Sequence, residues 1–194
     1  PLGATEQHGP HLPLGTDTII ARALAGAVPG AVVAPALPYG SSGEHAGFAG
    51  TLSIGRSALE HVLVELVRSA RFARVLFVSA HGGNAEPVAA AVRKLRTEGS
   101  DVRAWSPEWR GDAHAGRVET SLLLALAPEL VGAAREAGNT APLAELMPHL
   151  RAGGVRAVSA NGVLGDPAGA SADEGHALLA AAAADLRAFV EAWA

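Results

Sequence analysis

The sequence predicts an α/β protein: a three-layer α/β/α sandwich on a mostly parallel sheet. Three observations point there. Runs rich in Val and Ala at Ala31–Ala36, Val75–Val78 and Val102–Trp105 alternate with longer segments of helical period, the pattern of βαβ units. The chain of 194 residues has 49% hydrophobic and 18% charged side chains, an ordinary globular composition. A chain of this size buries roughly 70% of its unfolded surface, so a single domain over residues 1–194 is expected. Pro and Gly cluster at 38–55, 82–87 and 161–169, but each cluster is short and reads as a loop, not a linker.

Taken in order, Pro1-Leu2-Gly3 reads as the tail of a buried strand whose first part is expected upstream of Pro1. Ala31–Ala36 is the next strand. Ser57–Arg71 has the helix period, with Ala58, Leu59, Val62, Leu63, Leu66 and Val67 inside and Glu60, His61, Glu65 and Arg68 outside, as expected of a crossover helix. Val75–Val78 and Val102–Trp105 supply further strands. The last helix opens at Ser171, where Ser171 and Glu174 have the spacing of a capping box, and its inner face is Leu178, Leu179, Ala182, Leu186, Phe189 and Trp193.

Composition excludes several classes of function. The 15 Lys+Arg against 19 Asp+Glu give a charge of -4 with no basic block, so neither nucleic acid nor an anionic membrane surface is an expected partner. No apolar run reaches the ~18 to 20 residues of a membrane span. The absence of cysteine removes disulfides, thiolate metal sites and Cys nucleophiles, and it fits a cytoplasmic protein.

Histidines and carboxylates gather where strands give way to loops. His8, His11, His45, His81 and His114 lie in Gly- or Pro-containing segments beside apolar stretches, and the carboxyl ends of parallel strands are where α/β sheets bind ligands. His61, His149 and His176 fall in helical patterns and read as solvated. In Gly3-Ala4-Thr5-Glu6-Gln7-His8-Gly9-Pro10-His11-Leu12-Pro13, Glu6 and His8 are two apart, so in extended chain they project to the same side and can share a metal. Asp17 follows at the start of a helix, where it is either a helix N-cap or a ligand. Leu76-Phe77-Val78-Ser79-Ala80-His81-Gly82-Gly83-Asn84 is a buried strand ending in His and two glycines. It lacks the lysine and third glycine of a nucleotide loop, and a ligand histidine fits it better. In Asp112-Ala113-His114-Ala115-Gly116-Arg117-Val118-Glu119, Glu119 lies one turn into a helix. There it pairs either with Arg117 or Arg110 or with a cation.

Taken together, Glu, His, Asp, His and Glu make an oxygen and nitrogen donor set suited to Zn, Mn or Fe(II). Three carboxylates against two divalent ions leave one positive charge, which a bound hydroxide cancels. Such a pair lowers the pKa of its water toward about 7 and clamps a carbonyl oxygen, which is the chemistry of amide hydrolysis by direct attack of metal-bound hydroxide. No serine stands in a nucleophile elbow.

These motifs resemble the creatininase family of metal-dependent amidohydrolases, whose members share a Glu-x-His-Gly-x-His-Leu-Pro run, an Asp eleven residues after the Glu, and a strand ending in His; here Asp17 is eleven after Glu6. Gly40–Thr51, the His114 segment and Asn161–Pro167 extend the match along the chain. The resemblance implies Glu6, Asp17 and His81 around one ion and His8 and Asp17 around the other, with Asp17 bridging. It implies His114 as the proton-transferring residue that protonates the leaving amine, and His45, Gly47 and Asn84 as substrate contacts. Creatininase proper has a Glu two residues beyond the strand-end His, where this chain has Gly83. The resemblance implies Glu119 in its place, because the five-residue step from His114 to Glu119 is also the family's. Ala49 stands where the family commonly has Pro.

The substrate pocket of creatininase uses aromatic residues that do not map onto Trp105 or Trp109, which argues against creatinine. Within the family, the Gly-Ser-Ser-Gly-Glu-His-Ala-Gly-Phe, His-Gly-Gly-Asn and Asp-Ala-His-Ala-Gly-Arg runs look most like the branch of peptidases in mycofactocin biosynthesis. That resemblance implies cleavage of a small modified precursor peptide with release of a fragment from its Val-Tyr end. It also implies two divalent ions and a homo-oligomer. The competing expectations are a small-ring amidase or deformylase using the same metals, and a non-catalytic metal-dependent binding protein in which Gly83 marks a lost ligand.

Overall fold

The computed structural model describes residues 1–193. Two strands, β1 (Val75–Val78) and β2 (Val102–Trp105), pair in parallel with Val75 opposite Val102 and Val78 opposite Trp105. Leu2 extends this sheet, making parallel bridges to Ser79 on one side and Leu37 on the other. The Leu2 N–H donates to the Val78 carbonyl (2.7 Å) and the Gly3 N–H to the Leu37 carbonyl (3.0 Å). The order across the sheet is therefore the Leu37 segment, the Leu2 segment, β1 and β2.

Among the described residues there are six α-helices: α1 (Thr16–Gly26), α2 (Arg56–Ala70), α3 (Ala85–Thr97), α4 (Arg117–Leu126), α5 (Leu143–Gly153) and α6 (Ala172–Glu191). Strand alternation divides the core between two faces. Phe77 and Val102 join Leu59, Leu63, Val67, Val88 and Leu95 of α2 and α3. Val78 and Trp105 join Ile20, Leu24, Leu122, Leu123, Ala182 and Leu186 of α1, α4 and α6. This is the three-layer arrangement expected, with a smaller cluster of Leu146, Val155 and Leu164 under α5.

Three sequence expectations are corrected. Ala31–Ala36 is not a strand. Pairing begins at Leu37, which bridges Leu2, and Val32 and Val33 are 78% and 46% exposed. In α2 the buried residues are Leu59, Leu63, Val64 and Val67, whereas Ala58 and Leu66 face outward. Apolar residues lie on both flanks of its 59, 63, 67 stripe, so periodicity alone does not select Val64 over Leu66. At α6 half of the capping box forms. The Ser171 hydroxyl accepts from the Glu174 N–H (3.2 Å), a cap worth about 1 kcal/mol, but the Glu174 carboxylate turns away to accept from Arg117 Nε and Ser121 Oγ. Among the described residues, no helix is long and apolar enough to cross a membrane.

Candidate metal centre

The strand order brings the chemistry to one edge. Leu2 and β1 run in parallel, so Glu6, His8 and His81 leave the sheet at the same carboxyl end, as open α/β sheets favour for ligands. A tight turn at Gly9 (φ +64°) returns the chain so that the Leu12 N–H reaches the His8 carbonyl. α1 then begins with Thr16 and Asp17. Its N-cap is Gly15 with no side-chain cap, so Asp17 sits inside the first turn and is not the cap. Glu119 is likewise in the first turn of α4, and its carboxylate accepts from the Ala115 N–H at 2.6 Å.

Glu6, His8 and Asp17 are buried to 1%, 0% and 2% exposure, and His45, His81 and His114 are buried beside them. Both Glu6 oxygens, His8 Nε2 and Asp17 Oδ2 are buried without a hydrogen-bond partner. A folded chain pays several kcal/mol for such groups unless something compensates them. Instead of hydrogen bonds they show near contacts: His8 Nε2 to Asp17 Oδ1 at 3.5 Å, His8 Nε2 to Glu119 Oε2 at 3.7 Å, His81 Nδ1 to Asp17 Oδ2 at 3.5 Å, and His81 Nε2 to Glu6 Oε2 at 3.2 Å. Ligand atoms about 2.1 Å from a tetrahedral ion stand roughly 3.4 Å from one another, which is the spacing seen here. Glu6, Asp17 and His81 each offer an atom within 4.8 Å of the others, and so do His8, His114 and Glu119. Asp17 turns one oxygen to His81 and the other to His8, the posture of a bridging carboxylate. His8 Nδ1 donates to the Glu6 carbonyl (3.1 Å), which leaves the Nε2 lone pair inward.

The electrostatics agree with a cation-seeking cluster. Burial alone would lower the pKa of His8, but Asp17, Glu119 and Glu6 outweigh it and push it up to about 10. Burial likewise opposes Glu6 and Asp17 at His81, which also rises to about 10. Burial pushes the Glu119 carboxyl up. Without metal these carboxylates draw protons onto the imidazoles, so loading a metal releases protons. His114 and His45 behave oppositely. Burial, reinforced by His8 and His45, holds His114 well below the usual imidazole range. Burial also takes His45 down to about 4 despite Glu6.

Glu119 has no arginine partner among the described residues, and Arg117 binds Glu174 instead. Gly83 is not a simple gap. A Cβ there would run into the Ser41 carbonyl, the Glu44 carboxylate and His81, so the loop is built around a glycine. Glu119→Gln is expected to lose about one metal equivalent by elemental analysis, because a neutral amide leaves His8 and Asp17 short of one charge. Full metal occupancy in that variant would remove Glu119 from the ligand set.

The expected substrate contacts divide. His45 lies in the cluster, its Nε2 3.3 Å from Glu6 Oε1. Asn84 braces the loops around the cluster. It is 0% exposed, its amide nitrogen donates to the Gly3 carbonyl (3.0 Å) and its oxygen accepts from the Ser41 N–H (2.9 Å), so its amide is spent on tying loops together. Gly47 is exposed and its carbonyl accepts from Arg156 Nη1 (2.8 Å). Trp105 is buried against the α6 face and donates to Asp185 (2.8 Å), while Trp109 packs on the same core, so neither is free to flank the metal cluster. Two residues escaped the sequence reading: Gln7, wedged between His45 and His114, and Glu44, whose carboxylate lies 3.5 Å from His81 Nε2. His11 Nε2 shares a hydrogen bond with Thr120 Oγ1 (2.8 Å) and so braces the turn that carries Glu119.

Comparison with known proteins gives a consistent picture. The family model described as creatininase, creatinine amidohydrolase, matches residues 1–190. The mycofactocin precursor peptide peptidase of Mycolicibacterium smegmatis is 55% identical, the alignment covering 93% of this chain and 78% of that protein. The protein of the same name from Mycobacterium ulcerans is 52% identical, over 100% of this chain and 84% of that one. A crystal structure of creatinine amidohydrolase superposes with a TM-score of 0.79 at 27% identity, over 98% of this chain and 87% of the other. Creatininase structures at the same 27% identity include a Zn-Zn form and an Mn form.

Proposed function

The chain belongs to the creatininase family and is an amide hydrolase of that family, and we propose that its substrate is the modified precursor peptide for which its relatives are named. The reaction would cut an amide bond near the peptide's C-terminus and release a Val-Tyr-derived fragment. The observation that carries the hydrolytic reading is the set of buried, unpartnered ligand atoms on Glu6, His8 and Asp17. They make sense as a site for divalent metal and as little else.

In this reading Glu6, Asp17 and His81 hold one ion, and His8, Asp17 and Glu119 hold the other. Two divalent ions, of which zinc, manganese or Fe(II) suits such donors, would supply an activated water and polarise the scissile carbonyl. The chain's own groups handle the proton. The His114 Nε2–H donates to the Gln7 carbonyl (2.8 Å), so Nδ1 holds the lone pair and faces Glu6 and Glu119 at 3.9 and 4.0 Å. A neutral His114 must first accept a proton at Nδ1 and then return it to the leaving amine. Burial of Glu6, His8 and Asp17 excludes bulk water from the ligand set, which strengthens the electrostatic contacts inside.

The test combines elemental analysis of anaerobically purified protein with cleavage of a decarboxylated, Val-Tyr-terminated precursor peptide before and after chelation. The expected result is near two metals per chain and cleavage that chelation abolishes and Zn, Mn or Fe(II) restores. One metal or none, with no cleavage after add-back, would defeat the reading.

A further inference from the structure

Gln7 lies between two expected ligands, and neither metal set needs it. It is 5% exposed, and every polar atom of its side chain is engaged. The amide oxygen accepts from the Gly9 N–H (2.9 Å), which fixes the amide's orientation and leaves Nε2 as the donor end. Nε2 has three neighbours for its two hydrogens, His45 Nδ1 at 2.8 Å and the Gly162 carbonyl and His114 Nε2 each at 3.2 Å; His114 Nε2 carries its own hydrogen toward the Gln7 backbone carbonyl (2.8 Å), so the two acceptors are His45 Nδ1 and Gly162. The loop is shaped to this amide. Gly162 has φ +80°, and a Cβ there would run into the Gln7 side chain.

We propose that Gln7 is a positioning residue that holds His45 as its Nε2–H tautomer, so that the inner wall of the site presents one imidazole N–H beside one imidazole lone pair. The reasoning is stepwise. An amide N–H can only donate, so His45 Nδ1 accepts and the ring's proton sits on Nε2, which points at Glu6 Oε1 from 3.3 Å. The Gln7 backbone carbonyl can only accept, so His114 keeps its proton on Nε2 and turns its Nδ1 lone pair inward. One residue thereby sets two neighbouring rings, 4.5 Å apart between centroids, to opposite tasks. His45 can donate to an oxygen that gains charge, and His114 can take a proton.

The inference rests on the hydrolytic reading for its purpose but not for its test. Zinc-loaded wild type, Gln7→Leu and Gln7→Glu are compared by metal content, by imidazole nitrogen NMR with His45 assigned through His45→Asn, and by peptide hydrolysis. In Gln7→Leu the expected results are unchanged zinc, loss of the acceptor signature at His45 Nδ1, an unchanged His114 tautomer, and kcat lower by about tenfold to a hundredfold with KM little altered. Gln7→Glu keeps the size but accepts only, and it is expected to invert the His45 tautomer. A His45 spectrum in Gln7→Glu that matches wild type would overturn the proposal. So would zinc loss parallel to the loss of activity, because Gln7 would then act on the ligand loop. If wild type proves not to cleave the peptide, the hydrolytic reading fails while the tautomer measurement still decides this one.

Discussion

Asp17→Asn is expected to reduce bound metal from near two equivalents to well under one and to slow hydrolysis by about a thousandfold or more. The reason is that Asp17 turns one oxygen toward each expected ion, Oδ1 at 3.5 Å from His8 and Oδ2 at 3.5 Å from His81. An amide presents one weak oxygen ligand and one nitrogen that repels a cation, so the bridge and one negative charge are lost together. If the ions supply about 4 kcal/mol of transition-state stabilisation, each 1.36 kcal/mol being tenfold in rate, their loss gives that thousandfold. The variant should fold, because Asp17 is not the N-cap of α1 and no cap hydrogen bond is lost. Elemental analysis and peptide cleavage read the result. Two retained metals with near-normal turnover would mean that the cluster is held without Asp17, and the two-ion arrangement would have to be redrawn.

How much of this was legible in the sequence depends on the range of the interaction. Glu6 and His8 could be paired from spacing alone, because extended chain places alternate residues on the same side and both stay within one short segment. β1 and β2 were legible to the residue, because each is a short, mostly apolar run bounded by loops. Asp17 and Glu119 were visible as acids at helix starts, but what they meet there was not. The structure puts Gly15, not Asp17, at the N-cap and pairs Arg117 with Glu174, not Glu119, and both are facts of three-dimensional packing. Gln7 escaped notice because its partners are His45, 38 residues away, and His114, 107 residues away. The bracing role of Asn84 was hidden for the same reason. A polar residue after two glycines looks like a ligand contact, yet its amide binds Gly3 and Ser41, which only the folded loops bring near. Ala31–Ala36 has a strand's composition, but composition does not fix where pairing starts, and the hydrogen bonds to Pro1 and Gly3 are made by Leu37.

His114→Ala separates proton transfer from metal binding. Hydrolysis is expected to fall by about a hundredfold or more, the usual scale for a lost acid/base group, while metal content stays at the wild-type value. The geometry makes the distinction sharp. His114 Nδ1 stands 3.9 and 4.0 Å from Glu6 and Glu119, farther than the 3.5 and 3.7 Å at which His8 meets Asp17 and Glu119, so the ring occupies the outer position of its triad. Its pKa, lowered by burial and by His8 and His45, keeps the ring neutral as pH falls through the usual imidazole range. The acid limb of the wild-type pH profile that belongs to His114 therefore lies below that range, and it should be missing in the variant. Removal of the ring also opens space between His8 and His45, whose ring centroids are 4.3 and 4.5 Å from that of His114. Added imidazole should enter that space and restore part of the rate, a result that a purely structural role would not produce. If His114→Ala instead lost a metal equivalent, His114 would be a ligand of the second ion together with His8 and Glu119, and the proton would have to travel through another group.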